Sequence, residues 1–166
     1  METTVKIDDH SGIAEARRAA ATLGHPMGLT PQLVAQASLV ISELSTNILK
    51  YADRGELWLS TLCANGAAYG LDILALDRGP GIPNLDAAVK DGFSTGGSLG
   101  IGLGTMRRAA AVFDVYSAPG GGTATLVRLL EKRGGGSGRR LLYLGQPDDA
   151  HTHRDRVGRQ LGLSAI

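Results

Sequence analysis

Three short stretches carry residue types whose spacing could do chemistry. The first is "ELSTNILKYA", starting at Glu43. Glu43 and Asn47 are four residues apart, so on a helix they share one face, and Lys50 extends the same polar edge. A carboxylate, an amide and an ammonium in a row can orient a nucleophile, hold a metal and meet a phosphate. The same three residues also suit an ordinary solvated helix flank. The second stretch is "LDRGPGI", where a strand ends on Asp77 and Gly79-Pro80-Gly81 follows. An acidic side chain there can accept a hydrogen bond from an exocyclic amine, and the glycines permit close backbone approach. Pro-Gly dipeptides equally mark a plain surface turn. The third is "DGFSTGGSLGIGLGTM", with six glycines in sixteen residues. Exposed N–H groups just before a helix suit a phosphate, and the bland alternative is a flexible surface loop. No G-x-x-x-x-G-K-[ST] occurs. "GSLGIGLGT" is not G-x-G-x-x-G either, because the third position falls on Thr105.

Elements must exist to position these residues. "LTPQLVAQASLVISELSTNILKYA" is the clearest helix, with Thr30 as N-cap and Pro31 at its first position. Its apolar stripe is Leu33, Ala37, Val40, Ile41, Leu44, Ile48 and Tyr51. Glu43 and Asn47 lie about 100° from the centre of that stripe, at the edge of the buried face. Before it, "TVKI" reads as a strand. "SGIAEARRAAATLG" reads as a helix with Ile13, Ala16, Ala20 and Leu23 in register, closed by Gly24 and Pro26. "GELWLSTLCANGAAYGLDILALDRG" reads as a hairpin turning at Asn65-Gly66. "NLDAAVKDG" holds a short helix. "LGTMRRAAAVF" reads as a helix with Leu103, Met106 and Ala110 on one face. "DVYSAP" and "GTATLVRLL" are strands joined through Gly120 to Gly122. The order β-α-α-β-β-α-β-β, with helices grouped and strands paired, argues an α+β sandwich: a mixed, mostly antiparallel sheet with helices on one face.

Composition narrows the classes. With 43% hydrophobic but only 4% aromatic residues, a core must be built from aliphatic side chains. A net charge of +1 carries no global field toward nucleic acid or membrane. The single cysteine, Cys63, excludes an intramolecular disulfide and reads as a small core residue. No signal peptide and no apolar run of about 18 residues is visible, so a soluble cytoplasmic protein is the expectation. After Glu131 the character changes: "KRGGGSGRR" opens a basic, Gly-rich segment. The expected division is a domain over 1–131 and a flexible tail over 132–166. His151 and His153 in the tail lack partners for a metal site.

Taken in order, E-x-x-x-N on a helix, D-x-G-x-G after a strand, G-x-G-x-G opening a helix and "GGGTAT" on the last strand pair resemble the GHKL ATP-binding fold. That superfamily includes gyrase, the Hsp90 chaperones, histidine kinases and MutL. The resemblance covers roughly residues 5 to 130. "DGFSTGGSLGIGLGTMRR" and "NILKYA" are most similar to the small anti-sigma-factor and stressosome serine kinases, in particular the RsbT-type switch kinases. One departure is "GLGTMRR" where that type has a proline after the last loop glycine. The basic tail is another.

The resemblance implies ATP and Mg²⁺ as cofactors and assigns roles. Asn47 matches the Mg²⁺ ligand and Glu43 the catalytic base. Lys50 matches a phosphate contact. Tyr51 either flanks adenine or belongs to the core. Asp77 matches the acceptor of the adenine amine, with Gly79 and Gly81 lining the base pocket and Thr123 helping to hold the base. Gly97, Ser98, Leu99, Gly100, Ile101, Gly102, Leu103 and Gly104 line the phosphates, and the segment from about Asn84 to Ser98 forms a lid. Arg107 and Arg108 either face solvent or touch a partner or the phosphates. The implied activity is an ATP-dependent serine/threonine protein kinase that phosphorylates a STAS-domain antagonist in stress-response or sigma-factor regulation. A PP2C-type phosphatase or a sigma factor is a second target, and a homodimer stays open. The other reading is a non-catalytic ATP-binding module. A sensor histidine kinase is disfavoured, because no histidine-bearing dimerisation hairpin precedes "ELSTN".

Overall fold

The computed structural model describes residues 1–85 and 102–131. The expected short helix in "NLDAAVKDG", the lid, Gly97 to Ile101, and the whole 132–166 segment with His151 and His153 lie outside the described residues or mostly so. Met1–Glu131 forms one compact unit.

Within it the elements run β1 (Glu2–Ile7), α1 (His10–Gly24), a 3₁₀ turn (His25–Met27), α2 (Pro31–Tyr51), β2 (Gly55–Ala64), β3 (Ala67–Asp77), α3 (Leu103–Ala109), β4 (Val112–Ala118) and β5 (Gly122–Leu130). Among the described residues the sheet has five strands in the order β1-β2-β3-β5-β4. Each of its four pairings is antiparallel. The Asn65-Gly66 turn takes positive φ at both residues, 53° and 79°, which matches the twist of a two-residue hairpin.

Successive strand residues face opposite sides of a sheet. Leu57, Leu59, Leu71, Ile73, Ala75, Val127 and Leu129 therefore project together. They are buried in one aliphatic core with Ala16, Ala20 and Leu23 of α1 and Ala37, Ile41, Leu44 and Ile48 of α2. Asp72, Leu74, Leu76 and Ala124 alternate with them and are also buried. On that second face Arg128 donates to both carboxylate oxygens of Asp72 at 2.8 Å, a two-pronged, charge-assisted pair. Among the described residues no helix is long and apolar enough to cross a membrane.

Three local expectations are corrected. The helix beginning at Leu103 does not reach Phe113. It stops at Ala109, Ala110 is extended, and the Ala111 amide already donates to the Arg128 carbonyl at 2.9 Å. Val112 and Phe113 pair with Arg128 and Val127, because β-branched and aromatic residues gain more on the sheet edge than in another helical turn. Tyr51 is not in the buried stripe of α2: it is the last residue of the helix and 52% exposed. Cys63 is exposed rather than core, next to a register shift between Leu62 and Cys63 near the hairpin end.

The start of α2 is tied to the end of β5. The Thr30 hydroxyl caps the Leu33 amide at 3.3 Å. Glu131 accepts from the Thr30 amide at 2.6 Å and from the Thr30 hydroxyl at 2.9 Å. A carboxylate at a helix N-terminus also meets the positive end of the helix dipole. Glu131→Ala is expected to destabilise the domain by about 1 kcal/mol. Thermal unfolding should show a fall of a few degrees, and an unchanged midpoint would remove this cap from the account.

Candidate active site

The site is built where the last turn of α2 meets the end of β3. α2 is amphipathic: Leu33, Val34, Ala37, Val40, Ile41, Leu44, Ser45 and Ile48 are buried. Glu43 and Asn47 sit at the rim of that face and are half-buried, while Lys50 is exposed. Glu43 and Asn47 are thus partly covered rather than fully solvated, and of the three only Lys50 lines the open depression described below. The Lys50 ammonium lies 5.0 Å from the centre of the Tyr51 ring, a cation–π distance.

Asp77 ends β3 and is held by backbone. Its Oδ1 accepts from the Gly79 amide at 2.8 Å and from the Thr123 amide at 3.2 Å. Both bonds fall on one oxygen, and among the described residues Oδ2 accepts no hydrogen bond. Gly79 lies against α2, since a Cβ there would come 2.7 Å from the Ala52 Cβ. Leu49, Lys50, Tyr51, Ala52 and Asp53 of α2 and its exit face Arg78, Gly79 and Pro80 across an open depression of about 610 Å³.

The loop after Asp77 is fastened to the β4–β5 hairpin. The Gly120 amide donates to the Pro80 carbonyl at 2.9 Å, and the Ile82 amide donates to the Ser117 hydroxyl at 2.8 Å. Gly81 has φ of 76°, and a Cβ would come 2.2 Å from the Ala118 carbonyl oxygen. Gly122, with φ of 84°, would place a Cβ 2.1 Å from the Asp77 carbonyl oxygen. These glycines answer to protein neighbours, because any side chain would push the loop and hairpin apart.

Sequence reasoning singled out Asp77, Gly79 and Thr123, and the structure brings all three into one bonded group. It missed Ser117, Arg78 and Asp53. Ser117 was legible in principle: a hairpin turning at Gly120 puts it opposite Thr123, as the register shows. Gly102 caps α3 through its carbonyl, which accepts from Thr105 at 2.8 Å and Met106 at 3.2 Å. The amides of Leu103 and Gly104 stand before the first intrahelical bond. Arg107 and Arg108 are exposed, and Arg108 donates to the Thr105 hydroxyl at 2.8 Å.

Burial raises the carboxyl of Glu43 above its ordinary value, with the Lys50 charge pulling the other way. Burial also raises Asp77, opposed by the Gly79 and Thr123 amides. Among the described residues no cluster of three His, Cys, Asp or Glu side chains could hold a metal by itself. A Mg²⁺ ion would fit here only with phosphate oxygens and waters beside the Asn47 amide oxygen, which is the coordination Mg²⁺ prefers.

A half-buried Glu43–Asn47 edge, an acidic strand end held by two amides and a helix opened by a glycine lie together on this antiparallel α+β sandwich, as in an ATPase domain. Residues 33–133 match the histidine kinase-, DNA gyrase B- and HSP90-like ATPase family, and the chain belongs to it. It is also similar to the serine/threonine-protein kinase RsbT of Bacillus subtilis (strain 168), with 35% identity over 122 residues. That match covers 74% of this chain and 91% of the relative.

The raised Glu43 carboxyl has a consequence for stability. Below the ordinary carboxylate value, Glu43 is protonated in folded and unfolded chains alike. As pH rises through the raised folded value, ionisation in a half-buried place withdraws stability. Glu43→Gln is therefore expected to raise the unfolding midpoint of the nucleotide-free protein at about pH 7. The gain should fade toward about pH 4. A variant less stable than wild type at neutral pH would contradict this account of Glu43.

Proposed function

We propose that this protein is an ATP-dependent serine/threonine protein kinase acting as a partner switch, with residues 1–131 as the kinase domain and 132–166 as an accessory tail. The reading rests on the Glu43–Asn47–Lys50 row along α2, the amide-held Asp77 at the end of β3, and 35% identity to a serine/threonine kinase. From Glu43 to Ala52 the helix advances about 13 Å. The row can therefore flank a nucleotide from its base toward its terminal phosphate.

Each residue then has a task. Asp77 Oδ2 accepts from the adenine amine, and Thr123 and Gly79 shape the base site. Tyr51 flanks the base from the exposed end of α2. Lys50 meets the phosphates together with the amides of Gly102, Leu103 and Gly104. Gly97 to Ile101 are further candidates for phosphate contact on the strength of the sequence resemblance. Asn47 would hold Mg²⁺ through its amide oxygen, and the bound ion would supply positive charge against the phosphates. Glu43 accepts the proton of a serine or threonine hydroxyl on the partner. The hydroxyl oxygen bonds to the γ-phosphorus, the bond from that phosphorus to the bridging oxygen breaks, and ADP leaves. A carboxyl raised by burial is a better base than an ordinary one.

The partner proposed is a STAS-domain antagonist in cytoplasmic stress or sigma-factor regulation. Its hydroxyl must reach Glu43, so the interface surrounds the lid. Phosphorylation adds about −1.5 to −2 charge next to nucleotide phosphates and Glu43, and like-charge repulsion releases the complex. The freed kinase can then engage a phosphatase or a sigma factor.

The test is a labelled-ATP assay with a purified STAS-domain protein as the acceptor. Asn47→Ala is expected to abolish Mg·ATP binding in calorimetry. Glu43→Gln should keep ATP binding and lower phosphotransfer by about 10²–10⁴. Wild-type protein that binds ATP but transfers no label would leave only a non-catalytic ATP-binding module. Unchanged nucleotide affinity in Asn47→Ala would remove Asn47 from the metal site.

A further inference from the structure

Ser117 stands at the centre of the fastening between the Asp77 loop and the β4–β5 hairpin. Its hydroxyl oxygen accepts from the Ile82 amide at 2.8 Å. It lies 3.1 Å from the Gly122 carbonyl oxygen, to which it can donate. It also lies 3.1 Å from the Thr123 hydroxyl, and in that pair either oxygen can be the donor. Thr123 in turn gives its amide to Asp77 Oδ1 at 3.2 Å. One serine thus touches the loop after β3, the start of β5 and the residue that pairs with Asp77.

A serine hydroxyl has one proton and two acceptor lone pairs. Only one arrangement uses all three contacts. Ser117 donates to the Gly122 carbonyl, accepts from the Ile82 amide and accepts the Thr123 proton. The reverse arrangement, with Ser117 donating to Thr123, gives up the bond to Gly122. The group is part-buried, where an unmade hydrogen bond is costly. The complete arrangement fixes the direction of the Thr123 proton: it points at Ser117, and Thr123 offers only lone pairs to whatever binds beside Asp77.

We propose that Ser117 is a specificity-setting positioning residue, which keeps Thr123 an acceptor and so selects adenine over guanine. This rests on the ATP-binding reading given above. Asp77 Oδ2 and Thr123 Oγ1 then both present acceptors to the edge of the base. Adenine meets them directly with the N–H donors of its exocyclic amine. Guanine carries a carbonyl oxygen at that position, and acceptor would face acceptor. Without Ser117 the Thr123 hydroxyl is free to turn, donate, and accommodate that carbonyl.

The test is nucleotide binding measured by calorimetry with Mg·ATP and Mg·GTP on the full chain, with thermal unfolding of each variant as a control. Ser117→Ala is expected to reduce the preference for ATP over GTP by about tenfold. Thr123→Val, which removes the hydroxyl at nearly constant shape, should reduce it similarly. The double variant should be no worse than Thr123→Val alone, since both changes remove one coupled interaction. A Ser117→Ala protein that loses ATP and GTP affinity in equal proportion would overturn the proposal, because that is the signature of a loosened loop. An unchanged preference would overturn it too, as would additive effects in the double variant. Wild-type protein that binds neither nucleotide would instead fail the ATP-binding reading itself.

Discussion

The whole site hangs on one carboxylate oxygen. Asp77 Oδ1 accepts two backbone amides, one from the loop that follows β3 and one from β5. Those bonds join two segments 46 residues apart in the chain. They also hold the side chain against rotation, so that Oδ2 has a defined direction. Burial works against ionisation of this group, and the two amides offset part of that cost. Without the pairing of β3 with β5, Thr123 would not stand opposite Asp77, and the carboxylate would be a mobile acid at a strand end.

The neighbouring contacts protect that geometry. Gly79 lets the loop press on Ala52 of α2, and Gly81 lets it press on Ala118 of the hairpin. Gly122 permits β5 to start directly against the Asp77 carbonyl. The loop is therefore clamped from three sides by backbone contacts and by Ser117. A site on a clamped loop can keep a base-recognising acceptor in place while other parts of the cleft respond to a ligand. Glu43, by contrast, stands on the regular helix α2, whose position is set by aliphatic burial against the sheet. The Asp77 loop and the Glu43 helix are thus positioned by different forces: hydrogen bonds at one, apolar packing at the other.

That division explains why some parts of the molecule were readable in one dimension. Helix α2, its Thr30 cap and its buried stripe up to Ile48 follow from periodicity and capping, which are local. The Asn65-Gly66 hairpin follows from two residues that tolerate positive φ. The placement of Glu43 and Asn47 at a buried edge follows from helical angles alone. The ordered set of glycine and acidic motifs was sufficient for the family, because their order along the chain is that of the fold.

Other features required the tertiary structure. Phe113 could continue a helix by composition, and only the waiting edge of β5 makes it a strand residue. Tyr51 fits the apolar stripe by spacing, but at the last residue of α2 its side chain is half exposed. Ser117 carries no local signal beyond its hydroxyl. Its three contacts come from the Ile82 loop and from the far side of a hairpin. The sequence by itself determined which segments form helix, strand and turn and which residue types could handle a nucleotide, since those depend on neighbours within a few positions. Only the tertiary structure decided which oxygen of Asp77 is engaged, what Gly81 and Gly122 make room for, and where Ser117 acts, since each of those depends on atoms brought together from distant parts of the chain.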